Sequence, residues 1–500
     1  MQNEMSNIKL LYIDLFCGAG GTSSGVEYAR HHGHKCAKVI ACVNHDKNAI
    51  LSHAANHPGA LHFTEDIRTL KLSPMIEHLQ KMKVRYPDAH VVLWASLECT
   101  NFSKAKGGQP RDADSRTLAE HLFRYIEAIR PSYIEIENVE EFMCWGDLDG
   151  EGKPISKYEG RSYIKWVKDV MRYGYTFEHK ILNAADFGAY TSRRRFFGLF
   201  AKKGLPIAFP IQTYAKETDM FGHYKKWKPV KEVLDLNDEG DSIFGRKKPL
   251  CEATLNRIYA GLIKFVAGGE KAFLVKWNSM KNGNYRAPSI NEPSPTLPCR
   301  NTLAIAKVQF LSKQYGGNPS GKNISIEQPA GTLTCIDHHA FMSVHYGNGF
   351  NKRLDVPAPT IKTHDNISLI TSKFLMNPQY TNKGGSIDKP CFTLIARMDK
   401  MPPYLISTEE GFGIQIYDTD SPMTVKIKEF MALYSIIDIK MRMLNVAELK
   451  RIMGFPDSYT LIGTQAEQKK FIGNAVEVNM SRALCEALCN KLSTVSLRAS

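Results

Sequence analysis

Apolar positions along the first 200 residues recur with two periods. Short runs of aliphatic and aromatic residues predict strands at Lys9–Leu15, Ala37–Val43, Val91–Ala95, Tyr133–Glu137, Tyr175–Leu182 and Arg195–Phe200. Between them, apolar residues spaced three and four apart predict helices at Gly25–His31, Lys47–Ala55, Met75–Lys83, Ser115–Ala128 and Ile164–Arg172. Strands that alternate with helices of this length argue a parallel, doubly wound α/β sheet. Ligands of such a sheet sit at the carboxyl ends of its strands.

The pattern changes after about Lys203. To about residue 430 the chain is rich in Pro, Gly, Asn and Thr, with short β-like runs and few helical stretches. A unit repeats within it: Pro293–Leu297, Pro329–Leu333, Pro357–Ile361 and Pro390–Leu394 each carry Pro-x-x-Thr followed by Leu or Ile. Ser421–Val425 reads as a degenerate fifth copy, and Phe273, Phe310, Phe341 and Phe374 lead the strands that precede most copies. The repeat is either a hairpin whose Pro and Thr end and start strands, or a loop whose hydroxyls and amides meet phosphates. Helical periodicity returns at Asn445–Met453, which stops at Gly454-Phe455-Pro456, and at Glu477–Lys491. The expected organisation is therefore a first domain of residues 1–202, a β-rich insertion of 203–435 and a completing segment of 436–500.

Composition narrows the class. At about 150 residues per domain, 500 residues suggest two or three domains. With 43% hydrophobic and 23% charged residues the chain is ordinary globular material, neither disordered nor fibrous. The longest apolar run, Val91–Ala95, falls far below the roughly 18 residues of a membrane span, and no secretory leader is read at the N-terminus. Eleven scattered Cys with no CxxC pair argue against a disulfide framework and a zinc finger, so no metal site is expected. Cys485 and Cys489, at helical spacing on an apolar face, read as core. A cytoplasmic, reducing compartment follows as the default and leaves any special Cys free to act as a thiolate. The surplus of 65 Lys+Arg over 51 Asp+Glu, a net +14, leans toward a polyanionic partner.

Four places carry candidate chemistry. The first strand runs into Asp14-Leu15-Phe16-Cys17-Gly18-Ala19-Gly20-Gly21, a glycine-rich turn that lets a ligand approach the backbone. It lacks the GxxxxGK[ST] of a nucleoside-triphosphate loop. Cys99, in Leu97-Glu98-Cys99-Thr100-Asn101-Phe102-Ser103, lies just past a central strand, where a nucleophile or a small buried hydrophobe could sit. Alternation in Ile134-Glu135-Ile136-Glu137-Asn138-Val139 turns Glu137 toward the same edge, as an acid or as an exposed strand end. Thr191-Ser192-Arg193-Arg194-Arg195 could grip an anion or solvate a loop.

Taken in order, with Arg442–Pro456 and Gly473-Asn474-Ala475-Val476, these six blocks resemble the C5-cytosine DNA methyltransferase family. The resemblance implies a doubly wound mixed sheet of the Rossmann-like, S-adenosylmethionine-dependent kind, with a β-rich second domain for target recognition. It assigns Cys99 as the nucleophile that adds to C6 of a flipped-out cytosine, Glu137 as the acid at N3, and Arg193 and Arg195 as the groups that hold base and loop. It places S-adenosylmethionine among Asp14, Phe16, Gly18, Gly20, Gly21, Asn44, His45, Asp66 and Asn474. It also implies a double-stranded DNA partner, a monomer, and a prokaryotic or phage setting such as restriction–modification.

This chain departs from the family pattern at several positions. Leu97-Glu98 replaces Pro-Pro before the nucleophile, Thr100 replaces Gln, Asn44-His45-Asp46 replaces Glu-Trp-Asp, and Thr191 replaces Gln. Glu98 would raise the neighbouring thiol unless it points away or pairs with an arginine. Three alternatives compete: an RNA (tRNA) cytosine methyltransferase, which the insertion of more than 200 residues argues against; a catalytically weakened DNA-binding homologue; and an exocyclic amino-methyltransferase. The last rests on Asn377-Pro378-Gln379-Tyr380, which lies inside a repeat rather than after a glycine loop.

Overall fold

The computed structural model describes residues 7–97, 119–146, 160–217, 220, 222–238, 240–263, 272–276, 287–297, 303–308, 414–433, 436 and 438–499, and six short strands between 341 and 406. Cys99, Glu98, Phe310, Asn377–Tyr380 and the repeat copies at 329–333, 357–361 and 390–394 lie outside them. The chain divides into two compact units: Met1–Asn237 with Ser289–Leu303 and Met443–Ser500, and Asp238–Pro288 with Ala304–Arg442.

The first unit is built on seven strands: β1 (Leu10–Leu15), β2 (Ala37–Val43), β3 (Leu61–Phe63), β4 (His90–Ser96), β5 (Tyr133–Asn138), β6 (Tyr175–Asn183) and β7 (Arg194–Lys202). Their order in the sheet is β3-β2-β1-β4-β5-β7-β6. Neighbours are parallel from β3 through β5, whereas β7 runs antiparallel to both β5 and β6. The alternation alone argues a parallel sheet, and the antiparallel β7 makes it the mixed, doubly wound sheet that the family resemblance implies. Only a short connection separates β6 from β7, too few residues for the crossover that a parallel pair requires.

Alternate residues of each strand feed two cores. Leu11, Ile13, Ile40, Leu93, Ile134 and Phe200 pack on one face. Leu10, Tyr12, Val39, Val92 and Trp94 pack on the other, against Val26, Leu484, Cys485 and Leu488. Burial on both faces explains why β1 is apolar almost throughout rather than alternating. The sheet order reverses between β1 and β4, so the carboxyl ends of β1, β2, β4 and β5 surround the cleft that this topology offers a ligand.

Helix α1 (Gly21–Tyr28) starts a full turn before the predicted Gly25, because Gly20 takes a left-handed φ of 101° and sends the chain straight into it. The apolar period misses that turn, since Thr22, Ser23 and Ser24 are polar yet buried. Helix α2 (Lys47–Asn56) is capped by Asp46, whose Oδ1 accepts from the Asn48 and Ala49 amides at 3.0 and 3.2 Å. After the insertion come α3 (Val446–Ile452), α4 (Gln465–Asn474) and α5 (Val478–Ala499). The first two open on capping boxes, Asn445 with Glu448 and Thr464 with Glu467. Helix α4 escapes a periodicity reading because its sequence is polar except near Phe471 and Ile472.

In the second unit, strands Ala272–Lys276, Phe341–Val344 and Phe374–Met376 confirm three of the four Phe-led runs. The supposed fifth repeat copy is different: it opens the helix Pro422–Leu433. Ser421 Oγ accepts from the Thr424 amide at 3.2 Å with Pro422 behind it, so Ser-Pro here is a helix start rather than a strand end. Among the described residues no helix is long and apolar enough to cross a membrane.

Candidate active site

The glycine turn follows from three left-handed residues, Phe16 (φ 61°), Gly18 (52°) and Gly20 (101°). Phe16 is the unusual one, since a positive φ strains a side chain with a Cβ. A Cβ added to Gly18 would meet nothing within 4 Å, so the turn presents bare backbone to open space there. Gly20 is hemmed in instead: its Cβ would lie 3.1 Å from His53 Cδ2, 3.3 Å from His57 Cδ2 and 2.3 Å from the Tyr459 hydroxyl oxygen. Tyr459 donates to the Ala19 carbonyl, so a residue beyond the insertion holds the turn in place. Asp14 is fully buried beneath it, and its Oδ2 accepts from Ser23 Oγ at 2.8 Å. Burial pushes the Asp14 carboxyl up to about 7, partly opposed by that hydrogen bond.

The neighbouring strand ends supply the next residues. Asn44 is half-buried and its Oδ1 accepts from the Asp46 amide at 2.9 Å, while His45 is exposed. Asp66 is gripped by Arg68, Nη2 to Oδ2 at 2.7 Å and Nε to Oδ1 at 3.0 Å, and those bonds hold its carboxyl below the ordinary range. Asn474 ends α4 with its side chain exposed.

Glu137 stands opposite Ser96 in the parallel register of β5 on β4. Its side chain is 7% exposed, and Arg195 Nε lies 3.3 Å from Oε1. Beside it, Asn138 Nδ2 donates to the Leu97 carbonyl at 3.4 Å, tying β5 to the residue that lies two before Cys99 in the sequence. Arg193, also buried, points elsewhere: its Nη1 donates to the Gly473 carbonyl at 3.3 Å. The two arginines, two positions apart in sequence, thus take different partners, Arg195 a carboxylate and Arg193 the closing block. Glu477 continues that block, capping α5 through the Met480 amide at 2.8 Å, and burial raises its carboxyl to about 7.

The fold thus gathers Phe16, Gly18, Gly20, Gly21, Asn44 and Glu137 at the carboxyl ends of adjacent strands. Three buried polar residues, Ser23, His53 and Tyr459, and half-buried His57 lie outside the blocks read in the sequence. The i, i+4 spacing of His53 and His57 was a usable signal, but nothing local connects it to the glycine turn. Cys36, Cys485 and Cys489 bring three buried thiol sulfurs within 4.8 Å of one another, and Cys42, His53 and His62 bring together a second set of donor atoms.

A family model for the C-5 cytosine-specific DNA methylases matches residues 10–248 and 355–490. Among curated proteins, the Type II methyltransferase M1.HphI of Haemophilus parahaemolyticus is 28% identical over 237 residues, covering 46% of this chain and 57% of that protein. M.XorII of Xanthomonas oryzae pv. oryzae is 28% identical over 206 residues, 40% of this chain and 43% of its own. The chain thus spans about half the length of these two relatives. The Type II methyltransferase M.HgiBI of Herpetosiphon aurantiacus aligns over 498 residues at 24% identity, covering 96% and 97% of the two chains.

Proposed function

Because the chain belongs to the C-5 cytosine-specific DNA methylase family, we propose that it methylates C5 of cytosine in double-stranded DNA, with S-adenosylmethionine as the methyl donor. The observation that carries this reading is the Glu137–Arg195 pair, 3.3 Å apart at the carboxyl end of β5 and in register with the strand that leads to Cys99.

C5 of cytosine is a poor nucleophile, so the ring must first be activated. The Cys99 thiolate adds to C6, and Glu137 shares a proton with N3, so that negative charge does not accumulate on the ring. Arg195 holds Glu137 and, as a fixed cation nearby, favours the thiolate. Arg193 acts at one remove, by tying this segment to the Gly473 carbonyl. After C5 is methylated it loses its proton, and β-elimination frees Cys99. A stacked base cannot reach these groups, so the cytosine is flipped out at a cost of a few kcal/mol.

The turn fits the cofactor: bare backbone at Gly18 faces open space beside half-buried Phe16, a combination suited to an adenosyl group. Phe16, Gly18, Gly20, Gly21, Asn44, His45, Asp66 and Asn474 would hold it, with Asp14 acting from beneath. When bound, the cofactor supplies an electrophilic methyl group. Asp66 must share its carboxylate with Arg68 or release it.

Residues 203–435 are the proposed recognition insertion, where side chains read base edges, and the +14 surplus serves phosphate contacts that weaken with salt. The names of the relatives support a modification role in restriction–modification. The test is incubation with S-adenosylmethionine and duplex DNA containing 5-fluorocytosine. A covalent adduct on DNA, lost in Cys99→Ser, is expected; an adduct on tRNA but on no DNA overturns the reading.

A further inference from the structure

Beneath the glycine turn, three side chains outside the six sequence blocks, Ser23, His53 and His62, form a continuous polar chain that ends on Asp14 of the first block. Its links can be given a direction, because a serine or tyrosine hydroxyl has only one hydrogen to donate. Ser23 donates to Asp14 Oδ2 at 2.8 Å. Its oxygen must therefore accept from His53 Nε2, 2.9 Å away, which makes His53 the Nε2–H tautomer. His53 Nδ1 is then an acceptor, and the hydrogen in its 2.9 Å contact with His62 comes from His62 Nε2. The chain runs from His62, half-buried at the sheet edge on β3, to a carboxylate with no exposed surface.

A parallel branch holds the turn itself. Ser24 donates to the Gly20 carbonyl at 2.7 Å and Tyr459 to the Ala19 carbonyl. Both oxygens must then accept from His57 Nε2, which lies 3.1 and 3.3 Å away. Two successive serines on α1 are thus read by two histidines one turn apart, His53 in α2 and His57 at its C-cap, and Gly20 rests on both rings.

We propose that Asp14, Ser23, His53 and His62 are positioning residues that form a directed hydrogen-bond wire under the glycine turn, and that the charge of Asp14 sets how well the turn holds a sulfonium cation. This rests on the cofactor reading above. S-adenosylmethionine is cationic at sulfur and its demethylated product is not, so a buried carboxylate under the turn favours the donor over the product. By reciprocity, binding the cation favours the ionised carboxylate. Asp14 then gives its proton to Ser23 Oγ, Ser23 passes its own to His53 Nε2, His53 passes its Nδ1 proton to His62 Nε2, and His62 releases one from Nδ1 to water. One proton leaves, every group keeps its complement, and the wire ends in the direction assigned above for the ionised carboxylate.

The other titratable groups near Asp14 do not compete. The Cys17 thiol from the turn and the Cys42 thiol from β2 are raised by burial and stay neutral. His53 on α2 and His57 at its C-cap are held neutral by burial, His53 well below the usual imidazole range and His57 at about 4, while His62 is lowered too. Glu27 on α1 bonds Lys35 and the Val39 amide. Asp14, raised to about 7, is the group poised to change charge near neutrality. The histidines also offer metal donors with Cys42, but the 2.9 Å between His53 Nδ1 and His62 Nε2 is a hydrogen-bond distance, shorter than two nitrogens on one zinc ion would keep.

The test is calorimetric titration of the full chain with S-adenosylmethionine and S-adenosylhomocysteine at pH 6 and pH 8, in buffers of different ionisation enthalpy. The donor is expected to release close to one proton on binding at pH 6 and almost none at pH 8, with affinity about tenfold weaker at pH 6. The product should show neither effect. In Asp14→Asn the proton release disappears, and in Ser23→Ala the pH dependence moves upward because Asp14 loses the bond that favours its ionised form. The wild-type series decides the matter even if these variants misfold. Identical pH dependence for donor and product, or one tightly held zinc per chain lost in Cys42→Ala, overturns the wire. Binding of neither compound at any pH overturns the cofactor reading itself.

Discussion

Gly21 and Val476 come from opposite ends of the chain, yet a Cβ on Gly21 would lie 2.3 Å from the Val476 carbonyl oxygen. One turn further along α1, a Cβ on Gly25 would lie 2.5 Å from the Val478 carbonyl oxygen and 2.0 Å from Ser481 Oγ. Helix α1 therefore packs backbone to backbone on the closing block and α5. Gly21→Ala must displace backbone rather than a flexible side chain, which costs about 1–3 kcal/mol. A lowered melting temperature with weakened cofactor binding is expected, and an unchanged melt would show that the two segments part easily.

Glu137→Gln keeps the shape of the side chain and removes its acid. If Glu137 manages the N3 proton, kcat falls by about 10²–10⁴ while the melting temperature and DNA affinity hold. Arg195→Lys retains a cation but loses the planar guanidinium, so an intermediate loss in kcat is expected. Steady-state kinetics with both variants checks the ordering.

Tyr459→Phe deletes one hydroxyl, the donor to the Ala19 carbonyl. A buried carbonyl deprived of its donor costs about 1–3 kcal/mol. Because the loss falls on the glycine turn, KM for the methyl donor should rise and KM for DNA should not. Equal rises in both would place Tyr459 outside the cofactor shelf.

Glu135 gives a pH signature for stability. It is fully buried between the cores, its Oε1 accepts from Tyr12 at 3.3 Å, its Oε2 has no partner among the described residues, and burial raises it to about 8. In the unfolded chain it would titrate near the ordinary 4.5. The folded state therefore holds the extra proton between those values. Its contribution to stability is present below about pH 4.5 and is lost as pH rises through 8. Thermal melts of the wild type should fall between pH 6 and pH 8.5, and Glu135→Gln should flatten that decline.

Local chemistry made much of this legible. Asp46 and Asn445 each start a helix through their own side chains, and the strands β1, β2, β4 and β5 announce themselves by runs of buried apolar residues. Polar helices were harder. Helix α4 and the first turn of α1 carry too few apolar positions to reveal a period, and they form because caps and packing partners elsewhere satisfy them. Ser421-Pro422 read as a strand boundary because the same dipeptide serves both ends of an element, and only the packing of the following apolar face made it a helix start.

By itself the sequence determined the doubly wound α/β character, the order of the chemical blocks and the residue types a cytosine-C5 reaction needs, because periodicity and motif are local properties. Only the tertiary structure decided which groups meet: that Arg195 takes Glu137 while Arg193 takes Gly473, that Tyr459 reaches back to Ala19, and that two histidines carry Ser23 and Ser24 beneath the glycine turn. The reason is that each of these contacts joins buried polar atoms from distant segments. Such an atom must find its partner wherever the packed sheet and helices bring one within reach, and that place is set by the fold as a whole.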